Sequence, residues 1–195
     1  MACCIILSAG LSERFGSPKA LARLDSMTVM EHILKQAMAS SCPEIIVVLG
    51  AYATEIEPYV FNHKRIRIVH NKDYKFGQTS SVQAGVRAIL PSNEPFLLWP
   101  VDCPLIQSST VDQVINKSRD KADAILIPTF QGKRGHPPLF PHRLKQDILN
   151  LDLSMGLNSL FAAYPPQSIE INDPGITKTF NTPGEFEQIQ KNGDT

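Results

Sequence analysis

Four residues after the first apolar run combine two glycines with two cations: Gly10, Arg14, Gly16 and Lys19, within LSAGLSERFGSPKAL (residues 7–21). Glycine lets a backbone approach a phosphate closely, and successive N–H groups of such a loop can form a nest for an anion. A guanidinium presents a planar fork to phosphate oxygens, and an ammonium presents a compact point charge. Near one strand end, this set suits a triphosphate. The stretch has no G-x-G-x-x-G and does not end in G-K-[ST], so neither common nucleotide fingerprint applies. On spacing alone it also fits a solvated turn with surface charges.

Three further places could carry chemistry. Gly77, Gln78, Ser80 and Ser81 offer a close turn and uncharged donors and acceptors, suited to a base edge or a ribose. Thr79 or Ser80 equally reads as a helix N-cap. Asp102 ends an apolar run, and Pro104 stops that run from continuing. A carboxylate at a buried strand end is costly unless paired or metal-bound, and Mg²⁺ favours one or two carboxylates plus phosphate oxygens and water. The alternative for Asp102 is to cap a helix starting near Ser108 or Ser109. His136 lies between glycine and proline, just after Lys133 and Arg134, and by itself fits a structural role.

Composition removes several classes. Nineteen Lys and Arg balance nineteen Asp and Glu, against a general nucleic-acid or membrane-surface binder, though a local basic pocket is compatible. The four cysteines, Cys3, Cys4, Cys42 and Cys103, form no C-x-x-C pair, so a zinc site is not expected. They read as buried small residues in a reducing cytosol. No apolar run approaches the roughly 20 residues of a membrane span, and no basic n-region of a signal peptide precedes ACCIILS. The expected location is the cytoplasm.

The elements that must position these residues alternate. ACCIILS, EIIVVLG, PFLLWPVD and ADAILIPT read as buried strands, RIRIVHN as a strand nearer an edge, and QSIEIND as a late strand. TVMEHILKQAMAS, ATEIEPYV, residues 80–90, STVDQVINKSR with Ser109 as cap, RLKQDILNL, MGLNSLFAAY and TPGEFEQIQ read as helices. FQGKRGHPPLFP reads as a loop leading into a short extended segment. Alternating strands and helices predict an α/β fold, a three-layer αβα sandwich around a mostly parallel, Rossmann-like sheet, with all 195 residues in one domain. Ligands in such sheets sit beyond the carboxyl ends of strands, at a switch in strand order. The polar residues gather after Leu7, His70, Pro100 and Thr129.

The opening loop resembles the L-x-[AG]-G-x-[SG]-x-R-[MF]-G-x-x-K signature of nucleotidyltransferases that activate pterins and sugar phosphates. The molybdenum-cofactor nucleotidyltransferase family is the most similar branch. NKDYKFGQTSSVQAGV, LLWPVDCPLI, GKRGHPPLF and KTFNTPGEF resemble that family's later motifs, in its order and across nearly the whole chain. The resemblance implies the nucleotide-diphospho-sugar transferase type of fold, with one nucleotidyltransferase domain. It places Ala9, Gly10, Arg14, Lys19, Gly77, Gln78, Ser80 and Ser81 at the nucleotide. Arg14, Lys19 and Asp102 are its catalytic set, Asp102 and Asn181 its Mg²⁺ ligands, and Lys133, Arg134 and His136 its acceptor-binding residues. The family often has two acidic residues where this chain has Thr179 and Asn181, and Glu185 stands at a later acidic position.

The reaction so implied needs little acid or base chemistry, because a phosphate monoester is already nucleophilic near neutral pH. Catalysis is then positioning and charge neutralisation. In the family an Ala-Gly pair goes with cytosine, so Ala9-Gly10 favours CTP. The implied acceptor is the molybdenum-bound molybdopterin phosphate, with a client molybdoenzyme beyond it and no nucleic acid or membrane partner. Two alternatives stay open: a sugar phosphate or methylerythritol phosphate as acceptor, or a non-catalytic carrier of the cofactor.

Overall fold

The computed structural model describes residues 1–91 and 93–193. In chain order its elements are β1 (Cys3–Ser8), β2 (Arg23–Leu24), β3 (Met27–Thr28), α1 (Val29–Ala39), β4 (Glu44–Leu49), α2 (Ala53–Ile56), β5 (Ile66–His70), α3 (Gln78–Ala88), β6 (Phe96–Pro100), α4 (Ser108–Ser118), β7 (Leu126–Phe130), β8 (Lys133–Arg134), β9 (Leu139–Phe140), α5 (Lys145–Leu149), β10 (Gln167–Glu170) and α6 (Pro183–Gly193). The main sheet runs β10-β7-β9-β6-β1-β4-β5, with β8 paired to β7. β1 is parallel to both β4 and β6, and β9 is antiparallel to its neighbours β6 and β7.

The layers follow from side-chain alternation. In β1, Cys4 and Ile6 join the core beneath α1, α4 and α6. Cys3, Ile5 and Leu7 join the opposite core, beneath α3 and α5. Every residue of β1 is buried, as a central strand covered on both faces requires. β5 is only half-buried at the sheet edge, matching its alternating pattern. The result is the αβα sandwich that the sequence predicts.

Strand order explains where the polar ends meet. The chain runs β1, β4, β5 toward one edge, then returns to lay β6 on the other flank of β1. The switch therefore falls between β1 and β6, where Val101 N–H donates to the Leu7 carbonyl at 3.0 Å. In such folds this crevice is the ligand site.

Several local readings are corrected. α3 begins at Gln78, and its N-cap is Gly77 (φ 93°), not Thr79 or Ser80. α4 begins at Ser108 with Gln107 at its N-cap, so Ser109 does not cap it. The exposed N-terminal groups find partners far away: Gln107 N–H donates to the buried Asp173 carboxylate, and Ser108 N–H to the Gln36 side chain. Within residues 155–164 the helical turn is a 3-10 helix over Leu157–Phe161. Residues 131–134 are part of a hairpin, in which Gln131 and Gly132 both take positive φ to turn β7 into β8.

α3 packs on the sheet through a glycine. A Cβ at Gly85 would stand 2.5 Å from Ile5 Cγ2 and 3.1 Å from Val48 Cγ2. Gly85→Ala gains roughly 1 kcal/mol of helix propensity, yet overpacking costs about 1–3 kcal/mol. Urea unfolding is therefore expected to show a net loss of stability. A stabilised variant would mean that α3 sits further from β1 and β4.

Candidate active site

A cleft of about 610 Å³ lies over the β1/β6 switch. It is lined by residues 7–14 and 18–20, by Tyr52 and Ile56 after β4, by Tyr74, Lys75, Gly77, Gln78 and Ser81 after β5, by Pro100, Val101 and Asp102 after β6, and by Asn181.

The loop after β1 is wound tightly. Phe15 and Gly16 N–H groups both donate to the Ser12 carbonyl, and Ser12 (φ 53°) and Gly16 (φ 80°) take left-handed backbone angles. Gly10 does not. Its missing Cβ would meet nothing within 4 Å, so its value is an unobstructed backbone facing the cleft.

That winding sends Phe15 inward. Its ring meets Phe180 and Phe186 edge-on, at centroid distances of 5.2 and 5.7 Å, and Phe180 and Phe186 are 4.7 Å apart. The three rings fasten the loop to the segment before α6. Each such aromatic pair contributes about 0.5–1.5 kcal/mol beyond area burial. Phe180 N–H also donates to the Asp102 carbonyl at 3.2 Å. Asn181 is thereby held against both Asp102 and the loop.

The polar centre follows. Lys19 Nζ lies 2.8 Å from Asn181 Oδ1 and 3.5 Å from Asp102 Oδ2. Arg14 Nη2 donates to the same Asn181 oxygen at 3.1 Å. The Lys19 and Asp102 side chains are 12 % and 27 % exposed, so their attraction is less screened than at an open surface. Cys103 donates its S–H to Asp102 Oδ1 at 3.4 Å. Burial pushes the Cys103 thiol pKa up, and the Asp102 charge pushes the same way, so this cysteine is no nucleophile. Trp99, fully buried, donates its indole N–H to the Cys103 carbonyl at 2.9 Å and fixes the Asp102 turn from below.

The structure distributes the sequence candidates unequally. Ala9, Gly10, Arg14, Lys19, Gly77, Gln78, Ser81, Asp102 and Asn181 all line the cleft. Ser80 is buried behind it. Its hydroxyl donates to the Gly77 carbonyl, and Asn71 Nδ2 donates to both Ser80 and Ser81. Asn71 is a positioning residue that the residue-by-residue reading missed. Lys133 and Arg134 are exposed on the β8 hairpin and do not line the cleft. His136 is largely buried; burial lowers its imidazole pKa, opposed by the nearby Asp102 charge, and its Nδ1 has no protein partner among the described residues. Glu185 is committed elsewhere: its carboxylate accepts the N–H groups of Asn181 and Thr182, which holds its pKa low. It caps α6.

Asp102 fits a divalent ion that brings phosphate oxygens with it: it is a hard, partly exposed oxygen donor at a strand end. The amide oxygen of Asn181 is the same kind of donor and converges with Asp102 on one point, the Lys19 ammonium. Among the described residues no group of three or more His, Cys, Asp and Glu could hold a metal by itself.

The MobA-like NTP transferase domain model matches residues 4–168. The chain belongs to this family. It is 28 % identical to the molybdenum cofactor cytidylyltransferase of Escherichia coli over 94 % of this chain and 92 % of that one. It is 30 % identical to a probable molybdenum cofactor guanylyltransferase of Bacillus cereus over 75 % of this chain and 72 % of that one. The fold superposes on Rv0371c of Mycobacterium tuberculosis, solved as a complex with manganese, with a TM-score of 0.79 at 18 % identity over 97 % of each chain. The family resemblance read from the motifs is confirmed, and the protein is a nucleotidyltransferase. Among the described residues no helix is long and apolar enough to cross a membrane.

Lys75 was not singled out from sequence. The cleft's charged residues are Glu13 and Asp102 against Arg14, Lys19 and Lys75, so Lys75 tips the cleft to net positive. Because Lys75 is exposed, one such contact is worth at most about 1 kcal/mol, roughly fivefold in affinity. Lys75→Gln is expected to weaken metal-free nucleoside triphosphate binding about two- to fivefold at low salt and hardly at high salt, measured by calorimetric titration. Equal losses at both salt concentrations would exclude this electrostatic role.

Proposed function

We propose that this protein transfers CMP from CTP to the terminal phosphate of molybdenum-bound molybdopterin, in the cytoplasm, with Mg²⁺ as its metal and a molybdoenzyme as the client for the product. The observation that carries the reading is the convergence of Arg14, Lys19, Asp102 and Asn181 on one point of the cleft. The similarity to a cytidylyltransferase along nearly the full length of both chains supports the choice of nucleotide and acceptor.

In this reading an oxygen of the acceptor phosphate attacks the α-phosphorus of CTP. The bond from that phosphorus to the bridging oxygen of the β-phosphate breaks, and pyrophosphate leaves. Arg14 and Lys19 bind the β- and γ-phosphates and stabilise the charge that builds there as the bond breaks. Asp102 and Asn181 would hold Mg²⁺, which supplies further neutralisation of phosphate charge when bound. Gln78 and Ser81, on the far wall, face the nucleoside; Asn71 orients the Ser81 hydroxyl. Ala9 is 3 % exposed, and its methyl packs where a Cβ on Gly50 would come within 2.8 Å of it. Positions 9 and 50 therefore set the depth of the nucleoside end together. His136, whose imidazole pKa burial lowers, is the residue this reading assigns to the acceptor.

Purified protein with Mg²⁺ and molybdenum-loaded molybdopterin is expected to release pyrophosphate from CTP faster than from GTP. Lys19→Ala is expected to lower kcat by about 10²–10³, the scale for losing one preorganised charge-stabilising donor. No pyrophosphate from any nucleoside triphosphate would overturn the reading. Faster turnover with a sugar phosphate or methylerythritol phosphate would reassign the acceptor. Unimpaired cofactor delivery by Lys19→Ala would identify a carrier.

A further inference from the structure

The Lys19 ammonium does more than stand near the phosphate end of the cleft. It sits on the oxygens of Asn181 and Asp102, at 2.8 and 3.5 Å, the two donors that the proposed reading assigns to the divalent ion. Its Nζ stands over the Phe180 ring, 5.5 Å from the centroid, and only 12 % of the side chain is exposed. Arg14 occupies the remaining side of the Asn181 oxygen at 3.1 Å. We propose that in the nucleotide-free protein the Lys19 ammonium is a tenant of the metal seat, so that the divalent ion enters only together with a nucleotide whose phosphates draw Lys19 away.

Three physical points carry this. An ammonium and a divalent ion cannot share the same two oxygens, because their mutual repulsion at contact distance exceeds what either gains from a second-best position. The amide and carboxylate oxygens by themselves are too few for a metal, which needs about six oxygen donors, most of them from water and phosphate. A triphosphate offers Lys19 alternative anionic partners of higher charge within reach of a flexible four-carbon stem. The same event thus frees the seat and brings the missing oxygens. Asn at position 181 suits the exchange. A neutral oxygen releases an ammonium more readily than a second carboxylate would.

The inference rests on the nucleotide-and-metal reading above, and one experiment separates the two. Mn²⁺ binding to the intact protein is followed by the loss of its free electron paramagnetic resonance signal. Wild type is expected to bind Mn²⁺ weakly alone and at least about tenfold more tightly with CTP present. Lys19→Gln and Lys19→Met, which remove the ammonium but keep an unbranched side chain, are expected to bind Mn²⁺ alone at least about tenfold more tightly than wild type. The double variant Lys19→Gln, Asp102→Asn is expected to lose that gain. If folded Lys19→Gln or Lys19→Met binds Mn²⁺ alone no better than wild type, the tenant proposal is wrong. If wild type retains no Mn²⁺ with any nucleoside triphosphate, the underlying reading of the site fails instead.

Discussion

One ammonium joins three parts of the chain that lie far apart in sequence. Lys19 comes from the loop after β1, Asp102 from the turn after β6, and Asn181 from the approach to α6. Nothing local requires them to meet. The meeting is imposed by the reversal of strand order, which lays the ends of β1 and β6 side by side, and by the Phe15–Phe180–Phe186 cluster, which brings the third segment in. The apolar rings do the holding; Arg14 and Asn181, each next to one of them in sequence, meet Lys19 and Asp102 in the cleft. This division is physically sensible, because a partly exposed ion pair contributes little to stability by itself.

The electrostatics of the cluster depend on position 181 being an amide. Arg14 and Lys19 share one neutral oxygen, which fixes the direction of both, and of the two Lys19 alone also pairs with the Asp102 carboxylate. A carboxylate there would bring the local charge of Arg14, Lys19, Asp102 and residue 181 to zero. With asparagine it stays positive, toward a substrate tail of several negative charges. Fixing cationic donors in advance removes a reorganisation cost at the moment charge develops on the leaving group. The buried thiol of Cys103 and the capped carboxylate of Glu185 complete the picture from the other side: both polar groups are tied off locally and take no part.

The layer order and the strand ends were legible because they rest on side-chain periodicity, which local sequence carries in full. The consecutive cysteines show this: Cys3 and Cys4 fall into opposite cores, as alternation in a strand demands. The helix starts were less legible, since caps are satisfied by whatever the tertiary fold brings. Ser109 looked like a cap, but the N-terminal groups of α4 are met by Asp173 and Gln36 from distant segments. Gly77 took the cap position that Thr79 and Ser80 seemed chemically better suited to fill, because the turn there needs a positive φ. Lys75 carried no motif, and only the shared cleft reveals it. Phe15 and Asn71 stand within the recognised motifs, but spacing alone does not show that they pack against or orient other side chains of the cleft.

The cleft wall and the β7–β8 hairpin outside it differ in how firmly their side chains are held. Beside the β1 end of the cleft Ala9, Gly50 and Tyr74 are packed so closely that a Cβ on Gly50 would fall 2.5 Å from the Ala9 carbonyl and 2.8 Å from Tyr74 Cβ. Asn71 fixes two serine hydroxyls at once, and the Tyr52 hydroxyl donates to the Leu11 carbonyl. Such a wall cannot be reshaped by a single side chain without moving a strand end. Outside the cleft the Lys133 and Arg134 side chains are exposed on β8, although the backbone there is anchored by the β7–β8 pairing and by the Gly135 and His136 N–H groups on the Pro128 and Ile176 carbonyls. Recognition by exposed, rotamer-rich cations costs ordering entropy on binding and tolerates different shapes. Under the proposed function, a rigid cleft wall beside exposed cationic side chains would let one fold keep a single activating reaction while the acceptor phosphate varies.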